Sequence, residues 1–236
     1  MRWFAVLVAL TGCGRLLGID DLAGPGAIDA ATGDSAAPTT VRVTGHVRRL
    51  DGTLLPGAVH LLDVAHRELA STALDVTGGY ALEVRGPGPF DVEVRADGFG
   101  GDVRPLVVYF PAPLAADTTA ELVVMTNGEL ATLCNLAGVP YAQDLAQLYV
   151  LVSDAAGRPR SGVALKLGGG YDDLLYSDDG AVPVHASATS TDGRAYVFGT
   201  VPGAHDVQTT GFVVAPRDVE TAAGTDTFVE VRLPPP

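Results

Sequence analysis

The chain is expected to be all-β, folded as two tandem antiparallel β-sandwiches, and three features of its sequence carry that expectation. Apolar and polar residues alternate with period two, glycine and proline punctuate the chain at 29 and 16 residues, and a set of turn landmarks occurs twice in the same order. Alternation is the pattern of a strand with one buried face, whereas frequent glycine and proline oppose long helices. A length of 236 residues, 47% hydrophobic and 18% charged, is enough for two modest domains, each with its own core.

Taken in order, the first unit spans 41–126. In "FDVEVRA", Phe90, Val92, Val94 and Ala96 alternate with Asp91, Glu93 and Arg95. Runs at 41–49, 57–64, 80–85, 104–110 and 118–125 carry the same signals. Residues 127–145 read as a linker with one short helix, in which Cys134 is a small apolar residue. From 146 to 236 the pattern returns. Gly52 and Gly57 precede an apolar strand in "GTLLPGAVHL", as Gly157 and Gly162 do in "GRPRSGVALKL". "PGPFDV" at 87–92 recurs as "PGAHDV" at 202–207, and each is followed by a Gly-Phe pair, Gly98-Phe99 and Gly211-Phe212. Ordered landmarks of this kind mark an internal duplication, and their Asp-Gly and Pro-Gly steps are turn formers.

The N-terminus reads as an address. Arg2 precedes the apolar segment Trp3 to Leu10, which ends at Leu10-Thr11-Gly12-Cys13. A basic start, a short apolar run and small residues before a cysteine are the features of a signal peptide, and the run is far below the roughly 20 apolar residues that span a bilayer. The four residues resemble the lipobox of bacterial lipoproteins. That resemblance implies removal of 1–12 and lipidation of Cys13, whose several acyl chains would anchor the chain stably to a membrane. Gly14 after the cysteine, in place of Asp, implies the outer membrane of the cell envelope. The segment 13–40, containing "AGPGAIDAATGDSAAPTT", reads as a flexible tether. Cys13 and Cys134 could pair in an oxidising compartment, but a lipid on Cys13 leaves Cys134 without a partner in the chain. The lone Lys166 among 15 basic residues fits a GC-rich bacterial genome.

Around these turns the chain resembles the carboxypeptidase regulatory-like family, a transthyretin-like β-sandwich, and the two sandwiches are expected to be transthyretin-like or immunoglobulin-like. "LDGTLLPGAVHLL", "TGGYALEV", "PGPFDVEV" and "DGF" cover most of the family pattern in the first copy. The second copy keeps "GRPRSGVAL", "STDGRAYVFGTVPGAHDV" and "GF". The resemblance spans 41–126 and 146–233, and implies two such sandwiches.

Composition and motifs also exclude functions. A net charge of −13 repels phosphate backbones, so no nucleic-acid partner is expected. His66-Arg67-Glu68 lacks the spacing of a zinc-peptidase motif, and His46, His60, His66, His185 and His205 show neither i,i+2 nor i,i+4 pairing, so no metal site is established. "STDGRAYVFGTVPGAHDV" is also similar to the sandwich of intradiol dioxygenases, but their His-x-His is absent. A divergent metal-dependent enzyme is therefore disfavoured. No Gly-x-Ser-x-Gly elbow or P-loop occurs, and no catalytic residue and no cofactor are assigned.

One departure stands out. Gly157 to Pro202 is longer than Gly52 to Pro87, and the excess falls at 168–185. There Asp172, Asp173, Asp178 and Asp179 lie with Tyr171 and Tyr176 on an expected long loop. Without EF-hand spacing the segment reads first as a solvated acidic hairpin; the alternative is a binding loop, since carboxylates suit calcium and exposed tyrosines suit a glycan or protein partner. The expected function is a membrane-anchored, non-catalytic envelope module that binds a protein or glycan, with a purely structural assembly component as the alternative.

Overall fold

Alternation in the first half builds β1 (Thr39–Arg49), β2 (Ala58–Asp63), β3 (Glu68–Ala73), β4 (Gly79–Gly86), β5 (Val92–Asp97), β6 (Leu106–Tyr109), β7 (Thr118–Thr119) and β8 (Leu122–Val124). The linker holds α1 (Asn127–Ala137), and the second half holds β9 (Ala146–Ser153), β10 (Ala164–Gly168), β11 (Asp173–Ser177), β12 (Pro183–Val184), β13 (Arg194–Thr200), β14 (Gly203–Thr210), β15 (Arg217–Thr221) and β16 (Asp226–Arg232). The computed structural model describes residues 39–86, 88–178, 182–212 and 217–235. Cys13, Gly14, the tether up to residue 38 and Asp179 lie outside the described residues.

The strands form three sheets: β4-β1-β7, with β8 also on β1; β10-β14-β15; and a nine-stranded sheet in the order β12-β11-β13-β9-β16-β6-β5-β2-β3. Each half opens on a strand that runs parallel to its closing strand, β1 beside β7 and β8, and β9 beside β16. The other side of that opening strand carries an antiparallel neighbour, β4 in one half and β13 in the other. The sets β2-β5-β6 and β10-β14-β15 match in the same way. Equivalent turns after β1 and β9 place Gly52 at φ 82° and Gly157 at φ 77°, a region open to glycine at no steric cost.

The halves are joined where β6 pairs in parallel with β16, from Leu106↔Asp226 to Tyr109↔Val229. One layer of each sandwich therefore belongs to a single sheet. Register sends Val108, Phe228, Tyr149, Tyr196 and Leu175 to one face, where they join the core beneath the β4-β1-β7 sheet and α1. Tyr109, Val229, Val150, Ala195 and Tyr176 face the opposite way and form a second core beneath β10-β14-β15. The covering layers thus sit on opposite faces of the shared sheet.

The segment 168–185 corrects the expectation of a long loop, because β11 and β12 extend the nine-stranded sheet, with Asp173–Tyr176 paired to Ala195–Phe198. The physical reason is local: Leu175 enters one core and Tyr176 the other, so a short apolar run is buried on both faces. The corresponding strand of the first half, β3, pairs with β2 in the other layer.

Helix α1 is fixed at both ends. Thr126 and Glu129 form a reciprocal capping box, and Gly138 closes the helix in the left-handed conformation. Its N-terminus meets a buried ion pair. Arg104 Nε donates to Asp226 Oδ1 at 2.8 Å, Nη1 to Asn127 Oδ1 and the Gln143 carbonyl at 3.2 Å, and Nη2 to the Leu145 carbonyl at 3.0 Å. The pair is 1% and 4% exposed and links the first half, the linker and the second half. Burial pushes the Asp226 carboxyl up to about 6, with the Arg104 guanidinium opposing it.

Candidate functional site

Because β10-β14-β15 covers only the second half, the same face of β6-β5-β2-β3 lies beside the overhanging β15 rather than beneath a sheet. Alternation decides what this face carries. Val92, Val94 and Ala96 of β5 point to the core, which turns Glu93, Arg95 and Asp97 outward; in β2, Val59 and Leu61 point inward and His60 outward. Two adjoining cavities of about 570 and 450 Å³ run along this shelf, sharing His66, Glu93, Tyr109 and Glu220.

Tyr109 on β6 fastens the overhang. Its hydroxyl donates to the Glu220 carbonyl at 3.2 Å and accepts from the Glu220 N–H at 3.1 Å. One side chain thereby satisfies both backbone groups of an edge-strand residue.

His66 closes the groove from the other wall. It sits in the β2–β3 turn at φ 56°, a left-handed conformation that costs a non-glycine residue about 1–2 kcal/mol. The turn is held by Asp63, whose carboxylate accepts from the Ala65 and Arg67 N–H groups. From there His66 Nδ1 meets Glu93 Oε1 at 2.8 Å and Nε2 meets Glu220 Oε2 at 2.6 Å. A neutral imidazole has one N–H, so only the protonated ring donates to both carboxylates. The Glu93 hydrogen bond, reinforced by Glu220 and opposed by partial burial, holds the imidazole above its ordinary range. Glu93 itself is 4% exposed.

A second cluster lies on the same shelf. His60 Nδ1 meets Glu68 Oε2 at 2.8 Å, Nε2 meets Asp97 Oδ1 at 3.3 Å, and Arg95 Nε reaches Asp97 Oδ2 at 2.8 Å. The Ser71 hydroxyl, and then His60, lower the Glu68 carboxyl below its usual value. Among the described residues no three of His, Cys, Asp or Glu converge as metal ligands.

A pH signature follows. The raised His66 value means that the clasp contributes fully below the unfolded value of 6.5, and its contribution is lost as pH rises through the folded value. Between about pH 6 and pH 8 the parent is expected to lose more thermal stability than His66→Gln. Asp226 titrates in both proteins and cancels in the comparison, so equal slopes would show that the clasp is not formed.

Of the residues singled out in the sequence, those described do not converge. Asp172 precedes β11, where its N–H bonds to the Phe198 carbonyl at 3.0 Å, and Asp173 is a paired strand residue. Asp178 lies beyond the far end of the strand and accepts from the Val182 N–H at 3.1 Å. Tyr171 is partly exposed, but Tyr176 is buried and accepts from the Leu165 N–H, which corrects the expectation of an exposed tyrosine there. At about 3.3 Å per strand residue, Asp172 and Asp178 stand about 20 Å apart, beyond any shared ion with ligands at about 2.5 Å. Millimolar calcium is expected to leave the thermal midpoint within about 1 °C. A larger rise would place an ion on this segment.

Cys134 lies in α1 and is buried, and burial pushes its thiol up to about 11. Little thiolate exists there at neutral pH.

The histidine clusters were not singled out by sequence spacing, because His60 and His66 are brought to one shelf by a hairpin and their carboxylates come from three other strands. Outward-facing Glu93, Arg95 and Asp97 were visible as the polar half of an alternating strand, but not which of their neighbours would roof them.

No protein-family profile matches the chain, and no curated protein sequence matches it. Among solved structures, the chain is similar to the TIE protein of Bacillus anthracis, at 9% identity and a TM-score of 0.29 over 82% of this chain and 33% of that one. It is also similar to GBS52, the minor pilin of Streptococcus agalactiae, at 13% identity and a TM-score of 0.29 over 82% and 95% of the two chains. A third similarity is to the shaft pilin SpaA of Lactobacillus rhamnosus GG, at 8% identity and a TM-score of 0.28 over 85% and 98%. The chain spans a third of the length of the TIE protein. At these scores the superpositions are partial, and the β-sandwich assignment rests on the strand pairings themselves.

Proposed function

We propose that the chain is a non-catalytic binding module of the bacterial cell envelope, held at the outer membrane by a lipid on Cys13 and presenting the groove between β15 and the shared sheet to a partner. The observation that carries the non-catalytic part is the saturation of the groove histidines. Both ring nitrogens of His60 and of His66 face carboxylates of neighbouring strands. A general base needs one nitrogen turned to the substrate, and each of these is turned to a structural partner instead.

The lipobox Leu10-Thr11-Gly12-Cys13 supports the anchor. Cells given labelled palmitate are expected to label the chain, and Cys13→Ala is expected to lose the label and leave the membrane fraction. Label retained by the variant would remove the anchor from this reading.

A spacer is the second reading, favoured by the β6–β16 pairing that makes one sheet of the two sandwiches. A partner captured through the groove decides between them.

A further inference from the structure

The groove is built from a strand edge, a polar floor and an excess of carboxylates. Ala204 faces Glu220 across β14 and β15, and Asp206 faces Asp218. Glu220 turns its N–H and carbonyl away from β14 to Tyr109. Antiparallel strands alternate bonded and non-bonded pairs, so the N–H and carbonyl of Asp218, two residues away, also turn outward, along the cavity that Asp218 lines.

Charge identifies the occupant. Glu93 and Arg95 rise from β5, Asp218 and Glu220 from β15, and Asp91 stands at the entry to β5. Asp91 and Asp218 have no hydrogen-bond or ion-pair partner among the described residues. Glu93 and Glu220 share a single cation, the His66 imidazolium, which reaches them from a left-handed turn. The two carboxylates are therefore spaced to hold one positive group between them, and the chain fills that place with its own side chain.

We propose that this groove receives an extended cationic peptide segment, laid past Asp218 on the edge of β15, with a lysine or arginine taking the place of His66 between Glu93 and Glu220. The proposal rests on the reading of the chain as a binding module. The outward N–H and carbonyl of Asp218 offer the segment one backbone donor and one acceptor, those of Glu220 being taken by Tyr109, and the carboxylates select its charge. His66 competes with the incoming cation while protonated and ceases to compete once neutral. The other titratable groups that share its cavities are His60 on β2, Glu68 on β3, Asp97 on β5 and Tyr109 on β6. Among the described residues, only Glu93 and Glu220 bond the His66 ring.

The test uses the full lipidated chain in non-ionic detergent and a fluorescein-labelled alternating Lys-Val octapeptide, with a Glu-Val octapeptide as counterpart, followed by anisotropy. The cationic peptide is expected to bind and the acidic one not. Affinity is expected to rise several-fold between about pH 6 and pH 8 as His66 loses its proton. His66→Ala is expected to bind at the lower pH as tightly as the parent does at the higher. Glu220→Gln, at an exposed carboxylate whose loss spares the fold, is expected to weaken binding about tenfold. Glu83→Gln, on β4 in another sheet, is expected to leave it unchanged.

Equal losses in Glu220→Gln and Glu83→Gln would reduce the effect to the net charge of −13 and overturn the proposal. Absence of binding by a palmitate-labelled, cooperatively unfolding chain would also overturn it, while leaving the anchored module standing.

Discussion

Arg104→Met is expected to lower the stability of the chain by about 3–5 kcal/mol, read as a fall in the urea midpoint followed by circular dichroism. The magnitude comes from what is left behind. Asp226 is 4% exposed at its side chain and loses the Arg104 guanidinium, its one ion-pair partner among the described residues, while the Gln143 and Leu145 carbonyls lose the donor that gathers the linker. An unpaired buried carboxylate is far costlier than a missing pair. The double variant Arg104→Met/Asp226→Leu is therefore expected to recover a large part of the loss. Burial already pushes Asp226 up to about 6, and without Arg104 its carboxyl moves higher. An acid with a raised folded value stabilises below its unfolded value and loses that contribution as pH rises, so Arg104→Met is expected to be less damaging at about pH 5 than at about pH 8. A variant equally unstable at both would place the damage in packing rather than in the orphaned charge.

Gly45→Ala is expected to cost about 3 kcal/mol, the upper end for overpacking. Gly45 lies on β1 at the step from its pairing with β7 to its pairing with β8, and a Cβ there would collide with the carbonyl of Ala120. Ala120 cannot easily withdraw. Its N–H donates to the Thr44 carbonyl at 2.8 Å, and its own carbonyl accepts from the buried Tyr80 hydroxyl at 2.7 Å. Tyr80→Phe, which removes only that last bond, is expected to cost about 1 kcal/mol. Should Gly45→Ala unfold at the parent's midpoint, the close crossing of β1 and Ala120 would be wrong.

Most of the first half was legible because its strands have one wet face. β5 shows its polar side as Glu93 and Arg95, and the equivalent turns around Gly52 and Gly157 share one spacing to the next glycine. β3, "ELASTA", carries no such signal, because an edge strand with both faces half exposed has no alternation. The acidic segment misled for the opposite reason: its apolar content is Leu174-Leu175-Tyr176, too short to mark a strand unless both faces are known to be covered. One signal of the shared sheet was present in β9. "AQLYVLV" is apolar almost without interruption, the mark of a strand buried on both sides. What could not be read was its neighbour, since the β6–β16 junction joins residues far apart in the chain. The groove inherits that limit, because His66 and Glu220 meet only through it. The Thr126-x-x-Glu129 capping box was also in the sequence, as a local signal that fixes where α1 begins.

The parallel pairing of each half's first and last strands has a mechanical consequence. A chain held at one end by an anchor and at the other by a partner would feel tension along its length, drawing β1 and β8, or β9 and β16, in opposite directions past one another. Hydrogen bonds between strands so loaded lie across the pull and must yield together, whereas bonds at the end of a hairpin can be peeled one by one. The second half places seven residue pairs in such an array, from Asp226↔Gln147 to Arg232↔Ser153, and the first has a shorter row. Under force, the half nearer the N-terminus should give way first.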